Sequence, residues 1–349
     1  MRMINARPLA LAALLAASIG CCAVGARSET MADVALLAGP DRMQKMIDGA
    51  KQENALTLYS SATTEDMGPI VASFEKSYAI KVKTWRGSSE DIRQRSITEA
   101  RAGRYDADVF ETAGTELEAM QREGLMQEMK SPTLSELTPL AIRPHREWVA
   151  SRLSTYVGGY NTDLIRKQEA PASYEDLADP RWKGKLGIEG ENAGWFMSLA
   201  QVIGEDKAIS LFRRIVQTNG VSVRKGHTLL ANLVVSGEVP FAITVYGYRA
   251  EQLRKSGAPF MPVYFQPLIA LPTGISVARR APHPYAAALF WEHYLTEGQK
   301  ILVTQDNIPV NLKVKPTPAG LTLLDPAQLI DDGDKWRRVF RDIFLSQAR

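Results

Sequence analysis

The chain has 349 residues, of which 45% are hydrophobic and 23% charged, with a formal net charge of +3 at pH 7. That composition excludes a disordered or membrane-embedded chain, and a charge this close to zero without a long basic run argues against a nucleic-acid partner. The length suits two ordinary domains, each able to bury a core without disulfides or metals.

The start of the chain stands apart. Arg2 and Arg7 precede a 12-residue apolar run at 9–20, too short for a bilayer span of about 20 residues. "AVGA" at 23–26 then offers a small-residue cleavage site, so residues 1–26 read as a secretory signal and the protein as exported. Cleavage after Ala26 removes Cys21 and Cys22, the only cysteines, and with them any disulfide, thiolate metal site or cysteine nucleophile. Lipidation of Cys21 is the alternative processing.

Residues 33–54 read as helical and lead to a first strand, "ALTLYSS" (55–61). The loop "SATTEDMG" and a helix through "GPIVASFEKSY" follow. "IKVKTW" (80–85) is a second strand, then "RGSSED" and the helical "IRQRSITEARAG". "ADVFET" (107–112) is a third, followed by a helix to about 124. Strands alternating with helices predict a parallel sheet covered on both faces. "LSTYVGGYN" (153–161) is strand-like without a long helix directly after it. A second α/β set follows: "GKLGIEG", a helix in "ENAGWFMSLAQVIG", "GVSVRKG", the strong strand "VPFAITVY" (239–246), the helical "GYRAEQLRKSG", a strand pair over 262–281 and an amphipathic helix from "PYAAALFWEHYL" to "QKIL". The expected architecture is α/β in two lobes with a cleft between them. The first takes 27–152 and 268–305, the second 153–267 and 306–349, with crossings near 153–160 and 263–275.

"YEDLADPRWKGKL", "SGEVPFAI" and "YSS" at the end of the first strand resemble the bacterial periplasmic solute-binding proteins of the ferric-iron-binding type, an extracellular solute-binding family. The match runs in order over roughly 50–315. The resemblance implies a two-lobed type II periplasmic-binding fold, hinged by two crossover strands. It also implies capture of a small solute for the membrane permease and ATPase of an ABC importer. In iron-binding members a histidine, a glutamate and two adjacent tyrosines grip the metal. Here those positions fall at Thr63, at Ala113 with Glu111 close by, and at Gly247 and Tyr248. Ferric iron is a hard cation that needs such oxygen ligands. Iron held by Tyr246, Tyr248 and Glu111 with an added anion is therefore the alternative, not the leading reading. Trp182, in the family element, reads as a plug rather than a ligand-gripping aromatic.

The strand-end loops suggest a small organic anion: a carboxylate, phosphonate or phosphate ester. Ser60, Ser61 and Thr63 lie near a helix N-terminus, whose free N–H groups suit an anion, although Thr63 is equally placed to cap that helix. Arg86 ends the second strand, where a guanidinium can clamp a carboxylate or stand solvated. Ser88 and Ser89 open the next helix, and Ser88 with Asp91 has capping-box spacing. In the second lobe Asn192, Trp195, His227, Tyr246, Tyr248 and Arg249 are the candidates. Trp195 is also read as helix packing, and His227 as an ordinary loop histidine. Tyr248 is the position where motif and strand end coincide. No cofactor or resident metal is called for, and a monomer suffices for two lobes closing on a solute. An exported α/β enzyme is the competing class. The chain has no GxSxG, HExxH, Walker loop or GxGxxG to support it. A binding protein feeding a membrane sensor is the third.

Overall fold

The computed structural model describes residues 29–346, so the expected leader and both cysteines lie outside it. In chain order the elements are α1 (Met31–Ala35), α2 (Arg42–Glu53), β1 (Ala55–Ser60), α3 (Thr64–Tyr78), β2 (Lys81–Arg86), α4 (Ser89–Arg101), β3 (Val109–Ala113), α5 (Gly114–Arg122), β4 (Met126–Gln127) and β5 (Val149–Asn161). There follow β6 (Leu186–Glu189), α6 (Ala193–Ile203), α7 (Glu205–Asn219), β7 (Ser222–Arg224), α8 (His227–Val235), β8 (Phe241–Tyr246), α9 (Gly247–Lys255), β9 (Phe260–Val263) and β10 (Leu268–Ala278). The last are α10 (Pro284–Leu295), α11 (Glu297–Thr304), β11 (Ile308–Pro309), β12 (Leu321–Leu323) and α12 (Pro326–Phe340).

The first lobe is built on the parallel order β2-β1-β3, with β10 antiparallel beside β3. Helix α10 is buried on every side, as its nearly all-apolar "PYAAALFWEHYL" dictates, and it is the central helix of this lobe's core. Gly39, at φ 91°, and Pro40 split the helix expected over 33–54 into α1 and α2. The expected terminal helix divides likewise at Thr296, whose backbone (φ −117°, ψ −86°) is not helical.

In the second lobe β8 lies between β5 and β6, with β7 parallel beyond β6. Helix α7 has no counterpart in the sequence reading. Yet Ala208, Leu211, Phe212, Ile215 and Val216, all buried, carry the i, i+3, i+4, i+7, i+8 spacing that makes a helix stick to a core. The family element folds as two short 3₁₀ turns, Glu175–Ala178 and Pro180–Trp182, rather than an α-helix. Trp182 is 2% exposed and packs 5.5 Å from the Phe241 ring, so it is a plug.

The two lobes share long strands. In β5, Arg152 to Thr155 pair with β10, whereas Tyr156 to Asn161 pair with β8 and β9. β10 makes the return crossing. The expected boundary at 306 is corrected. Ile308 and Pro309 pair with Leu153 and Arg152, Val310 is buried in the first lobe's core, and Asn311 bridges to Leu137. Leu324 and α12 pack on the second lobe, against α6, and α12 also touches α5 of the first.

Candidate functional site

Strands β1, β2 and β3 of the first lobe and β6, β7 and β8 of the second each run into a helix N-terminus. This is where open α/β sheets hold ligands. Two of the first-lobe helices, α3 and α4, are capped by side chains, and α5 is not. In the first lobe Thr63 accepts the Asp66 N–H at 3.2 Å and caps α3. Ser88 and Asp91 close a capping box on α4, at 3.1 Å and 3.0 Å. These two hydroxyls are therefore engaged in capping, and the capping reading is the one the geometry favours. Helices α6, α8 and α9 have no side-chain cap on their first-turn N–H groups. Position N-cap is held there by Asn192, Gly226 and Tyr246.

Ser60 is fully buried: its hydroxyl donates to Glu111 Oε2 at 2.7 Å and accepts the Ala62 N–H at 3.1 Å. It is corrected from a ligand contact to a structural one. Glu111 is 0% exposed and takes a second bond from Arg152 Nη1 at 2.8 Å, so the carboxylate offered for iron is already satisfied inside the protein. Arg152 Nη1 also reaches the Tyr294 hydroxyl at 3.2 Å. Ser61 is half-buried in the same loop, and Ser89 is the first residue of α4. Arg86 is exposed, with Nε held on the Ala62 carbonyl at 2.9 Å, which fixes the guanidinium beside the β1 loop.

In the second lobe Trp195 is corrected outright. It is 0% exposed, with Tyr174 and Phe212 rings 5.9 Å and 5.6 Å away, and it belongs to the core because the apolar side of α6 faces inward. Asn192 is buried and donates to Thr244 Oγ1 at 2.6 Å, locking the β6–α6 corner to β8. His227 packs on Tyr246 with centroids 3.9 Å apart and the rings tilted by 35°, and Tyr246 stacks on Tyr248 at 5.9 Å and 18°. Tyr156 of β5 stands 5.6 Å from Tyr246 and 5.7 Å from His227. Arg249 reaches Asn232 at 3.5 Å, and its Nε is buried without a partner.

The histidine and tyrosines of this wall are uncharged at neutral pH, with the Glu189 carboxylate 3.9 Å from the His227 ring. Burial pulls the His227 imidazole down to about 4, so it is uncharged at neutral pH. Burial also pushes the Tyr246 phenol up to about 12 and raises those of Tyr248 and Tyr156. Glu189 is buried and its acidity is weakened by desolvation, while its oxygens accept from Glu191 N at 2.8 Å and Gly226 N at 3.1 Å. Tyr248 also lines a cavity of about 330 Å³ whose walls include Thr155, Glu251 and Tyr264, with the Lys255–Asp306 ion pair tying α9 to the segment after α11.

Tyr156, Glu189 and Arg152 were not singled out from sequence. The available signal was Arg152 as the one charged residue in the sequence of a buried strand, where an unpaired charge does not survive burial. Among the described residues no cluster of three or more His, Cys, Asp or Glu side chains is placed to hold a metal ion, and no helix is long and apolar enough to cross a membrane.

Residues 108–327 match the family described as bacterial extracellular solute-binding protein. The iron uptake protein A1 of Synechocystis sp. is 25% identical over 319 residues, covering 82% of this chain and 87% of its own. Iron-bound HitA from Pseudomonas aeruginosa superposes with a TM-score of 0.69 at 23% identity, covering 83% of this chain and 99% of its own. The periplasmic binding protein AfuA from Actinobacillus pleuropneumoniae, with fructose-6-phosphate bound, superposes at 0.67 with 20% identity, covering 83% and 98%.

Proposed function

This chain belongs to the bacterial extracellular solute-binding proteins, and on that premise we propose that it is the periplasmic solute-binding component of an ABC importer whose cleft captures a small organic anion: a carboxylate, a phosphonate or a phosphate ester. The observation that carries the anion is the set of three second-lobe helices, α6, α8 and α9, whose N-termini lack a side-chain cap. Their free N–H groups and partial positive charge favour a negative group, and the neutral His227–Tyr246–Tyr248 wall does not repel one. Arg86 and Arg249 add fixed positive charge. Each lobe supplies part of the contacts, so the solute stabilises the closed form through its differential affinity for it. Binding is stoichiometric, without turnover, and the partners are a membrane permease and its ATPase.

Ferric iron is the second reading. It is favoured by the two stacked phenols and by the iron named for relatives such as the uptake protein of Synechocystis. It requires phenols whose ionisation burial opposes to give up their protons, with Thr63 and Ala113 where the resemblance places histidine and glutamate.

Thermal melts and calorimetry against citrate, inorganic phosphate, a phosphonate and a sugar phosphate separate the two readings. An anion present at a hundred times its Kd stabilises the native state by about 2.7 kcal/mol. Stabilisation by ferric ion alone, with a visible tyrosinate-to-iron absorption band and no response to any anion, overturns the leading reading.

A further inference from the structure

We propose that Arg152 is an anion-binding residue of the inter-lobe cleft, taking one carboxylate or phosphate group of the solute on the guanidinium edge that the protein leaves unpaired. The proposal rests on the reading of the solute as an anion. Glu111 and Tyr294 both engage the same nitrogen, Nη1, at 2.8 Å and 3.2 Å. Glu111 is in turn held by Ser60 at 2.7 Å, so this side of the guanidinium is fixed. Arginine carries five N–H donors in a planar fork. Nε and Nη2 of Arg152 have no hydrogen-bond partner among the described residues. Neither is among the buried, unpartnered side-chain atoms, although Nε of Arg143 and of Arg249 are. Both nitrogens therefore open onto accessible space, from a side chain that is only 12% exposed.

That space lies between the lobes. Arg152 sits on β5 opposite Thr273 of β10 and Pro309 of β11, four residues before Tyr156 pairs with Tyr246 of the second lobe. The Asp66 carboxylate, in the first turn of α3, and the Tyr248 phenol of α9, one from each lobe, act on its charge. A group seated on the free edge thus touches the crossing strand and lies within reach of both lobes. The Nε–Nη2 edge is the one that pairs in bidentate fashion with a carboxylate or phosphate, and in a recessed site such charge-assisted bonds are strong.

The test is calorimetric titration of citrate and of inorganic phosphate into the wild type, Arg152→Lys and the double variant Arg152→Gln/Glu111→Gln, which removes both members of the ion pair and leaves no orphan charge. The expected result is an affinity loss of about 10- to 100-fold in the double variant, with a native circular dichroism spectrum, and a smaller loss with lysine, a point charge without the fork. If the double variant does not fold, Arg152→Lys decides alone. Wild-type affinity in the variant that folds overturns the proposal. If the wild type binds neither anion but does bind ferric ion, the anionic-solute reading falls, and ferric titrations with and without citrate judge Arg152 separately. Loss of a citrate enhancement in the variant supports the anion role; titrations that match the wild type refute it.

Discussion

Gly247→Ala probes the seat of α9 on the crossing strand. A Cβ at 247 would lie 2.2 Å from Thr155 Oγ1, and 3.5 Å from both Thr155 Cβ and Val157 Cγ1. Ordinary contact is about 3.5–4 Å, so the hydroxyl and the helix must separate by more than an ångström. Thr155 is β-branched, 4% exposed and on a strand paired to β10, so it has few ways to yield. Overpacking of this kind costs about 1–3 kcal/mol. The higher helix propensity of alanine returns at most about 1 kcal/mol, and less at a first-turn position. A net destabilisation of about 1–2 kcal/mol follows, together with weaker solute binding because Tyr248, the next residue, moves with the helix. Urea unfolding in a double-mutant cycle with Thr155→Ala is the assay, since that change removes Oγ1 and leaves only the 3.5 Å contacts. The two substitutions are expected to couple by about 1 kcal/mol. A Gly247→Ala protein within 0.5 kcal/mol of the wild type, with no coupling, refutes the argument that this glycine exists for close approach.

Trp182→Ala should lower stability by about 3–5 kcal/mol, as emptying a core position does, with solute affinity within about threefold of the wild type in the cold; a large affinity loss in a folded variant would move Trp182 to the site. Tyr248→Ala should do the reverse, weakening solute binding by about 2 kcal/mol or more with little change in melting temperature, and unchanged affinity in calorimetry removes it from the site. For acid sensitivity, His293 is 1% exposed between Phe74 and Tyr78, and burial pulls it down to about 4. The unfolded chain, with an ordinary value near 6.5, binds the proton first, so stability rises with pH between about 4 and 6.5 and is flat above, by up to about 1.4 kcal/mol per pH unit for one group. His227 acts in the same direction. His293→Leu should flatten part of that slope in pH-dependent melts; an unaltered acid limb contradicts the assignment.

The alternation of strand and helix was legible in the sequence because each element carries its own period, and β1, β2, β3 and β8 fall within two residues of the segments read for them. Helix α7 carried the same kind of signal in "AISLFRRIV" and was passed over. The breaks at Gly39–Pro40 and at Thr296 needed attention to backbone rather than to hydrophobic pattern, since apolar residues continue on both sides. The candidate site was less legible. A hydroxyl at a strand end looks alike in sequence whether it faces a solute, caps a helix as Thr63 and Ser88 do, or is buried on a carboxylate as Ser60 is.

By itself the sequence determined a two-lobed α/β chain, its crossing segments, its family and Trp182 as a plug. The α/β alternation and the crossings follow from local periodicity and turn residues, and the family from the resemblance that three short stretches carry. Tertiary structure alone decided that Glu111 is closed off, that Trp195 belongs to the core, that 308–311 lies on the first lobe, and that Tyr156, His227, Tyr246 and Tyr248 form one wall. The physical reason is that hydrogen-bond and packing partners come from elements far apart in the chain. Arg152 and Glu111 are separated by 41 residues, and Arg152 and Tyr294 by 142. No pattern along one strand records which donors remain free once such partners have met.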